Sequence, residues 1–201
     1  MVLLIDQFNV FKLPSGNYFL IVELYDQDSL LLKSRVFFQK SNPSVNLDMA
    51  VYNDIVVDES FVASMTDRAV LEENVWSLYP ISTVLEKNFY EKNLKKVPTD
   101  QLQRFFYAFW VSRSPKNPES AWLAYSEKIA YVQKRFGSLQ VKGYRTDRGR
   151  VYLQYGEPND ILEIPSEPLT FPYEIWHYYY LDEQTNVKFV FYDPALVGND
   201  Y

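Results

Sequence analysis

The stretch that most constrains this chain is Gly143-Tyr144-Arg145-Thr146-Asp147-Arg148-Gly149-Arg150-Val151-Tyr152-Leu153-Gln154-Tyr155-Gly156-Glu157-Pro158. Thr146 and Asp147 are residue types whose side chains accept backbone N–H bonds at a helix start or tight turn. Gly149 permits positive φ or the close approach of another backbone. Gly156 followed by Pro158 reads as a helix stop. The span from Thr146 to Gly156 suits a helix of about two turns. The residue types of Val151–Tyr155 suit a strand instead. The cap-to-cap spacing favours the helix.

Around this centre the chain divides by pattern. Tyr18–Tyr25 is an alternating apolar run opened by Pro14-Ser15-Gly16-Asn17. Asp26–Ser29 turns it and Leu31–Gln39 returns it, which predicts a β-hairpin. A lone hairpin is not independently stable, so it needs a partner. Its run of Leu-Pro-Ser-Gly-Asn-Tyr looks like the closing hairpin of an immunoglobulin-like sandwich. The alternative is pairing with the C-terminal sheet. Ser41–Ser44 reads as a linker, which places a sandwich-derived hairpin at 1–42 and an α+β domain at 43–201. Ile55–Val57 is a candidate short strand.

From Thr66 the period becomes helical. Thr66-Asp67 is expected to cap a helix with Val70, Leu71, Val75 and Leu78 on one face. Pro80 is expected to open a second helix carrying Val84, Leu85, Phe89 and Leu94. Pro98-Thr99-Asp100 starts a third, with Leu102, Phe105, Phe106, Phe109 and Trp110. A fourth carries Trp122, Tyr125, Ile129, Val132 and Phe136 and is closed by Gly137. The aromatic faces read as core. Ile161–Phe171 reads as a proline-rich loop, and the end from Asp193 as a terminal loop. Tyr173–Tyr180 and Val187–Tyr192 predict an antiparallel hairpin joined by a longer loop at Asp182–Asn186. The fold class is α+β: about four helices on a small antiparallel C-terminal sheet, preceded by the hairpin.

The chemistry is bounded by what the chain lacks. There is no cysteine, which rules out thiol catalysis, disulfides and cysteine metal sites. His177 is the one histidine, so a transition-metal site is not expected. Strand alternation places it opposite Trp176 and Tyr178, beside Ile175 and Tyr179, as an ordinary sheet residue. No pair of carboxylates stands out for acid/base work, and no phosphate-loop pattern is present. Catalysis, metals and cofactors are therefore not expected. Net charge is −6 with pI about 4.9, which argues against nucleic acid. No apolar run reaches the ~20 residues of a membrane span.

Residues 101–150 hold ten basic and three acidic side chains, and 151–201 one basic and nine acidic. The two segments are expected to pair internally. Arg145, Arg148 and Arg150 are expected to meet Glu163 and Glu174, with Asp147 an ionised cap. The tyrosines and their neighbours form the candidate binding surface: Tyr144, Arg145, Tyr152, Tyr155, Tyr173, Trp176, His177 and Tyr179. Rings that carry a polar tip suit protein or glycan contact.

The central motif resembles the GWxTD domain family, bacterial envelope-associated proteins with Gly-Trp-x-Thr-Asp, then Arg-Gly-Arg and Tyr-Gly-x-Pro. Here Tyr144 stands in the tryptophan position. The structural motif carried over is Gly143, Tyr144, Thr146, Asp147, Arg148, Gly149, Arg150, Gly156 and Pro158. The likeness extends through Phe109, Trp110, Tyr131 and Phe136 upstream and Tyr173–Trp176 and Phe189–Asp193 downstream. It implies a periplasmic or outer-membrane-associated protein with an envelope protein as partner and no known catalysis. A looser topological likeness is to small outer-membrane assembly lipoproteins of the BamE/SmpA type. The resulting expectation is a non-catalytic interaction or scaffold module. The rival is a glycan-binding or glycan-active protein.

Overall fold

The computed structural model describes residues 7–42, 44–165 and 170–193. The expected terminal loop after Asp193 lies outside them, as do Pro43 of the linker and Pro168 of the proline-rich loop.

The hairpin forms as read. Strands β1 (Gly16–Asp26) and β2 (Ser29–Lys40) pair from Gly16 with Lys40 to Asp26 with Ser29. Its two faces differ in kind. One carries Tyr18, Leu20, Val22 and Leu24 beside Phe38, Val36, Ser34 and Leu32. The other mixes rings with charge: Glu23 pairs with Lys33 at 2.8 Å, and the Arg35 guanidinium lies 3.6 Å from the Phe19 ring centre. This sheet does not join the C-terminal one, so the alternative of shared strand pairing is not adopted. Arg35 does form an ion pair with Glu183 in the turn of the C-terminal hairpin.

Residues 55–57 are not a strand. Among the described residues no strand pairs with them. Side chains of the third helix take up the backbone carbonyls of the irregular segment around them. Gln103 donates to Val62 and Met65, and Arg104 to Asn53. Tyr52 meets Phe105 edge-on at 5.5 Å.

Helix α1 (Arg68–Ser77) is capped by Asp67, whose carboxylate accepts from Ala69 and Val70 N–H. Leu71, Val75 and Leu78 are fully buried, but Val70 is exposed, because the apolar stripe is narrower than the sequence pattern. Pro80 does not open α2 (Val84–Lys92); it lies in a 3₁₀ turn, Tyr79–Ile81. A capping box fixes the later start: Thr83 N–H donates to Glu86 Oε2 at 2.7 Å while Glu86 N–H donates back to Thr83 Oγ1. Leu94 falls in a separate 3₁₀ turn, Leu94–Lys96, and is buried there.

Helices α3 (Thr99–Arg113) and α4 (Pro118–Phe136) match expectation and meet through rings. Phe106 and Trp122 pack at 5.0 Å, and Trp110 and Tyr125 at 5.5 Å. Full burial of side chains such as Phe106 and Leu102 contributes roughly 1.5–3 kcal/mol each.

Helix α5 (Asp147–Tyr155) is the short helix favoured by its caps. It leads to a sheet of β3 (Asp160–Ile164), β4 (Tyr173–Leu181) and β5 (Gln184–Tyr192), in that order and antiparallel throughout. The expected loop at Ile161 is therefore wrong in its first residues. Asp-Ile-Leu-Glu-Ile alternates and has the His177–Tyr173 edge to pair with, and Pro165 follows it. The β4–β5 connection is also tighter than expected. Leu181 pairs with Gln184, and Asp182 takes φ +53 to make the turn.

The sheet buries Trp176, Tyr178 and Phe191 against the helices, with Trp176 on Phe136 at 5.6 Å. The chain is thus α+β, five α-helices with a two-stranded and a three-stranded antiparallel sheet among the described residues. No helix among the described residues is long and apolar enough to cross a membrane.

Candidate functional site

The motif begins with a 3₁₀ turn, Gly143–Arg145, seated on the end of α4. Gly143 N–H donates to Gln133 Oε1 at 2.8 Å, and a Cβ at Gly143 would lie 2.6 Å from Gln133 Cα. Thr146 then does two jobs. Its hydroxyl donates to the Gly143 carbonyl at 2.8 Å and accepts from Gly149 N–H at 3.0 Å. The first turn of α5 is thereby pressed onto the preceding turn. A Cβ at Gly149 would sit 2.8 Å from the Gly143 carbonyl carbon and 2.9 Å from Thr146 Oγ1. Only glycine fits there without displacement. Gly156 ends the helix at φ +83, and its carbonyl accepts from the Tyr178 hydroxyl at 2.8 Å.

The three arginines have different fates. Arg148 is buried and binds Glu174 of β4 at 2.8 Å, with both side chains under a tenth exposed. Glu174 also accepts from the Trp176 indole N–H, and the Arg148 guanidinium lies 4.9 Å from the Phe136 ring centre. This buried pair ties α5 to the sheet and to α4. Arg150 is exposed and pairs with Asp147, which makes Asp147 a salt-bridged residue of the first turn. Arg145 is exposed, 5.3 Å from the Trp76 ring centre and 5.8 Å from that of Tyr144. No carboxylate among the described residues pairs with it.

Two expectations are corrected here. Glu163 does not join an arginine network; it is exposed on the edge strand β3. The basic and acidic segments meet at Arg148–Glu174, but Lys142 and Arg113 pair with Glu73 and Glu86 of the earlier helices. Helix packing places those carboxylates nearer than the sheet.

The eight candidate surface residues do not form one platform. Tyr144 and Trp176 are buried and offer no surface. Burial, with the charge of Glu73 adding to it, pushes the Tyr144 phenol up to about 12. Tyr152 stacks on Tyr131 at 4.7 Å, and Tyr155 on Phe189 at 5.5 Å. Tyr173, His177 and Tyr179 share the sheet face turned away from the helices. His177 there contacts Asn186 Oδ1 at 3.3 Å and the Tyr179 ring at 5.0 Å. The physical reason is alternation: neighbours along a strand or around a helix point in opposite directions.

That outward sheet face is apolar. By register it carries Leu162, Ile164, Tyr173, Ile175, Val190 and Tyr192, with Asp160, His177 and Lys188 at one end. Leu162, Val190 and Tyr192 are 54%, 59% and 60% exposed.

A second feature lies beside the motif. Trp76, Tyr79, Glu91, Tyr144, Arg145 and Arg150 line a notch of about 370 Å³. Trp76 and Tyr79 are stacked at 6.2 Å, and Glu91 accepts from the Tyr79 hydroxyl at 2.8 Å. Next to it, Tyr79, Lys87, Asp147, Arg150, Tyr155 and Phe189 are among the walls of a hollow of about 420 Å³. The Lys87 ammonium lies 5.0 Å from the Tyr79 ring centre. Burial lowers its pKa, and the Arg150 charge lowers it further. Sequence reading singled out none of Trp76, Tyr79, Lys87 and Glu91. The available signal was a pair of rings three residues apart, flanking the buried Leu71–Val75–Leu78 stripe.

A family model described as the GWxTD domain matches residues 58–200. The chain belongs to the GWxTD domain family. No curated protein and no solved structure gives a significant match. In this GWxTD domain Gly143, Tyr144, Arg148, Gly149 and Pro158 are buried, and Thr146 is the hinge of their hydrogen bonds. Arg145, Asp147 and Arg150 are the motif side chains left at the surface. Among the described residues no cluster of three His, Cys, Asp or Glu side chains is placed to hold a metal ion.

Proposed function

We propose that this GWxTD domain is a non-catalytic protein-interaction module of the bacterial envelope, and that it docks its partner on the outward face of the β3–β4–β5 sheet. The observation that carries this reading is the apolar sheet face centred on Leu162, Ile175 and Val190. A flat apolar patch with a polar rim is the form of a protein-docking surface. Asp160, Asp182 and Lys188 edge it and Glu183 is paired with Arg35, so the matching partner surface is apolar with a polar rim of mixed charge. The envelope setting rests on the resemblance of the motif. Cell fractionation of the full-length protein checks it.

The docking test is affinity capture of the full-length protein from its native envelope, with a Leu162→Lys/Val190→Lys variant alongside. One stoichiometric partner held by the wild type and lost by the variant, at unchanged thermal stability, supports docking. Equal capture by both refutes this surface. A second reading, glycan recognition, is favoured by the rings of Trp76 and Tyr79 beside Arg145. Retention by envelope polysaccharide instead of a protein supports it.

A further inference from the structure

The notch beside the motif narrows the glycan reading to one ligand chemistry. We infer that the hollow lined by Trp76, Tyr79, Glu91, Arg145 and Arg150 binds a sugar residue bearing an anionic group, a carboxylate or a phosphate. This rests on the glycan reading and is independent of the sheet face, because no residue lining the notch belongs to the sheet.

The size comes first. At about 370 Å³ the notch lies at the small end of the roughly 300–1,000 Å³ range of small-molecule sites. Two half-buried rings, Trp76 and Tyr79, supply apolar wall for the C–H groups of a sugar. Glu91, already accepting from the Tyr79 hydroxyl, adds an acceptor for sugar hydroxyl groups.

The charge decides the rest. Arg145 and Arg150 both line the notch. Arg145 has no carboxylate partner among the described residues. Among the described residues Arg150 pairs with the exposed Asp147, and exposed pairs are weak enough to exchange. Guanidinium forks match carboxylate and phosphate oxygens two at a time. Lys87 adds a third cation, sharing the neighbouring hollow with Arg150. Burial and the charge of Arg150 both disfavour its ammonium form, and an anion between the cations relieves that repulsion.

The test is titration of the full chain with glucuronate, glucose 6-phosphate, glucose and inorganic phosphate. It is followed by amide and indole NMR shifts and by calorimetry. The expected result is saturable binding of one or both acidic sugars, with shifts at the Trp76 indole and at Arg145. The stronger of the two identifies carboxylate or phosphate as the natural group. Arg145→Gln weakens that binding about tenfold or more, because a charge-assisted hydrogen bond is lost. Arg145 is exposed, so the variant keeps its thermal midpoint, and a second variant, Arg150→Gln, reports independently. Equal binding of glucose and the acidic sugars overturns the anionic inference while leaving glycan recognition standing. Equal binding of inorganic phosphate overturns the sugar assignment. No shift with any sugar overturns both readings of the notch.

Discussion

Gly149→Ala sets two effects of opposite sign against each other. Gly149 lies in the first turn of an α-helix, where propensity alone makes alanine better by about 1 kcal/mol. The packing says the reverse. The new methyl would sit 2.8 Å from the Gly143 carbonyl carbon and 2.9 Å from Thr146 Oγ1, where about 3.5 Å is comfortable. The nearest groups are backbone, so no side-chain rotation relieves the overlap. The methyl overlaps the Gly143 carbonyl oxygen most deeply, so the α5 start must move from the turn beneath it by about an ångström. That displacement costs about 1–3 kcal/mol as overpacking, or more. It also weakens both hydrogen bonds of Thr146, a cap worth about 1 kcal/mol. The packing terms win, and the net loss is about 1–3 kcal/mol. In a domain of this size that lowers the melting temperature by roughly 2–12 °C. Urea unfolding followed by circular dichroism measures it, with Arg150→Ala, an exposed neighbour, expected within about 0.5 kcal/mol of wild type. A Gly149→Ala protein more stable than wild type would show that α5 does not rest on the Gly143 carbonyl.

The buried Arg148–Glu174 pair offers a second test. Glu174→Gln removes one charge of this buried pair and is expected to cost about 3 kcal/mol or more in denaturant unfolding. The buried tyrosines set the alkaline limit. The Tyr144 phenol is held up to about 12, so the unfolded chain ionises first, and stability falls as pH rises from about 10 towards 12. Its share is on the order of 1–2 kcal/mol after solvent screening, and Tyr144→Phe removes it. Burial raises Tyr90, Tyr125 and Tyr178 in the same direction, so absorbance at the phenolate band is expected to show these rings ionising only as the protein unfolds. Loss of partner capture by Leu162→Lys/Val190→Lys and loss of acidic-sugar binding by Arg145→Gln complete the set.

The sequence by itself determined α1, α3, α4, α5, the two hairpins and the motif. Thr146, Asp147 and Gly156 marked both ends of α5 through local hydrogen bonding and backbone freedom, which neighbours in the chain settle between them. The core faces of α3 and α4 were legible because the period of a helix repeats in the order of its residues. Tertiary structure alone decided the rest. The strand at Asp160–Ile164 exists because β4 offers it an edge, whereas Ile55–Val57, with the same taste for strands, has no edge and folds irregularly. Arg148, Arg150 and Arg145 look alike in the chain, yet one is buried on Glu174, one sits on Asp147 and one faces the notch. Nothing within the motif distinguishes them, because each is set by what a distant helix or strand brings within a few ångströms. For the same reason Tyr144 and Trp176 of the expected surface are buried, and Trp76 and Tyr79 reach the motif only through the packing of α1 and the turn after it.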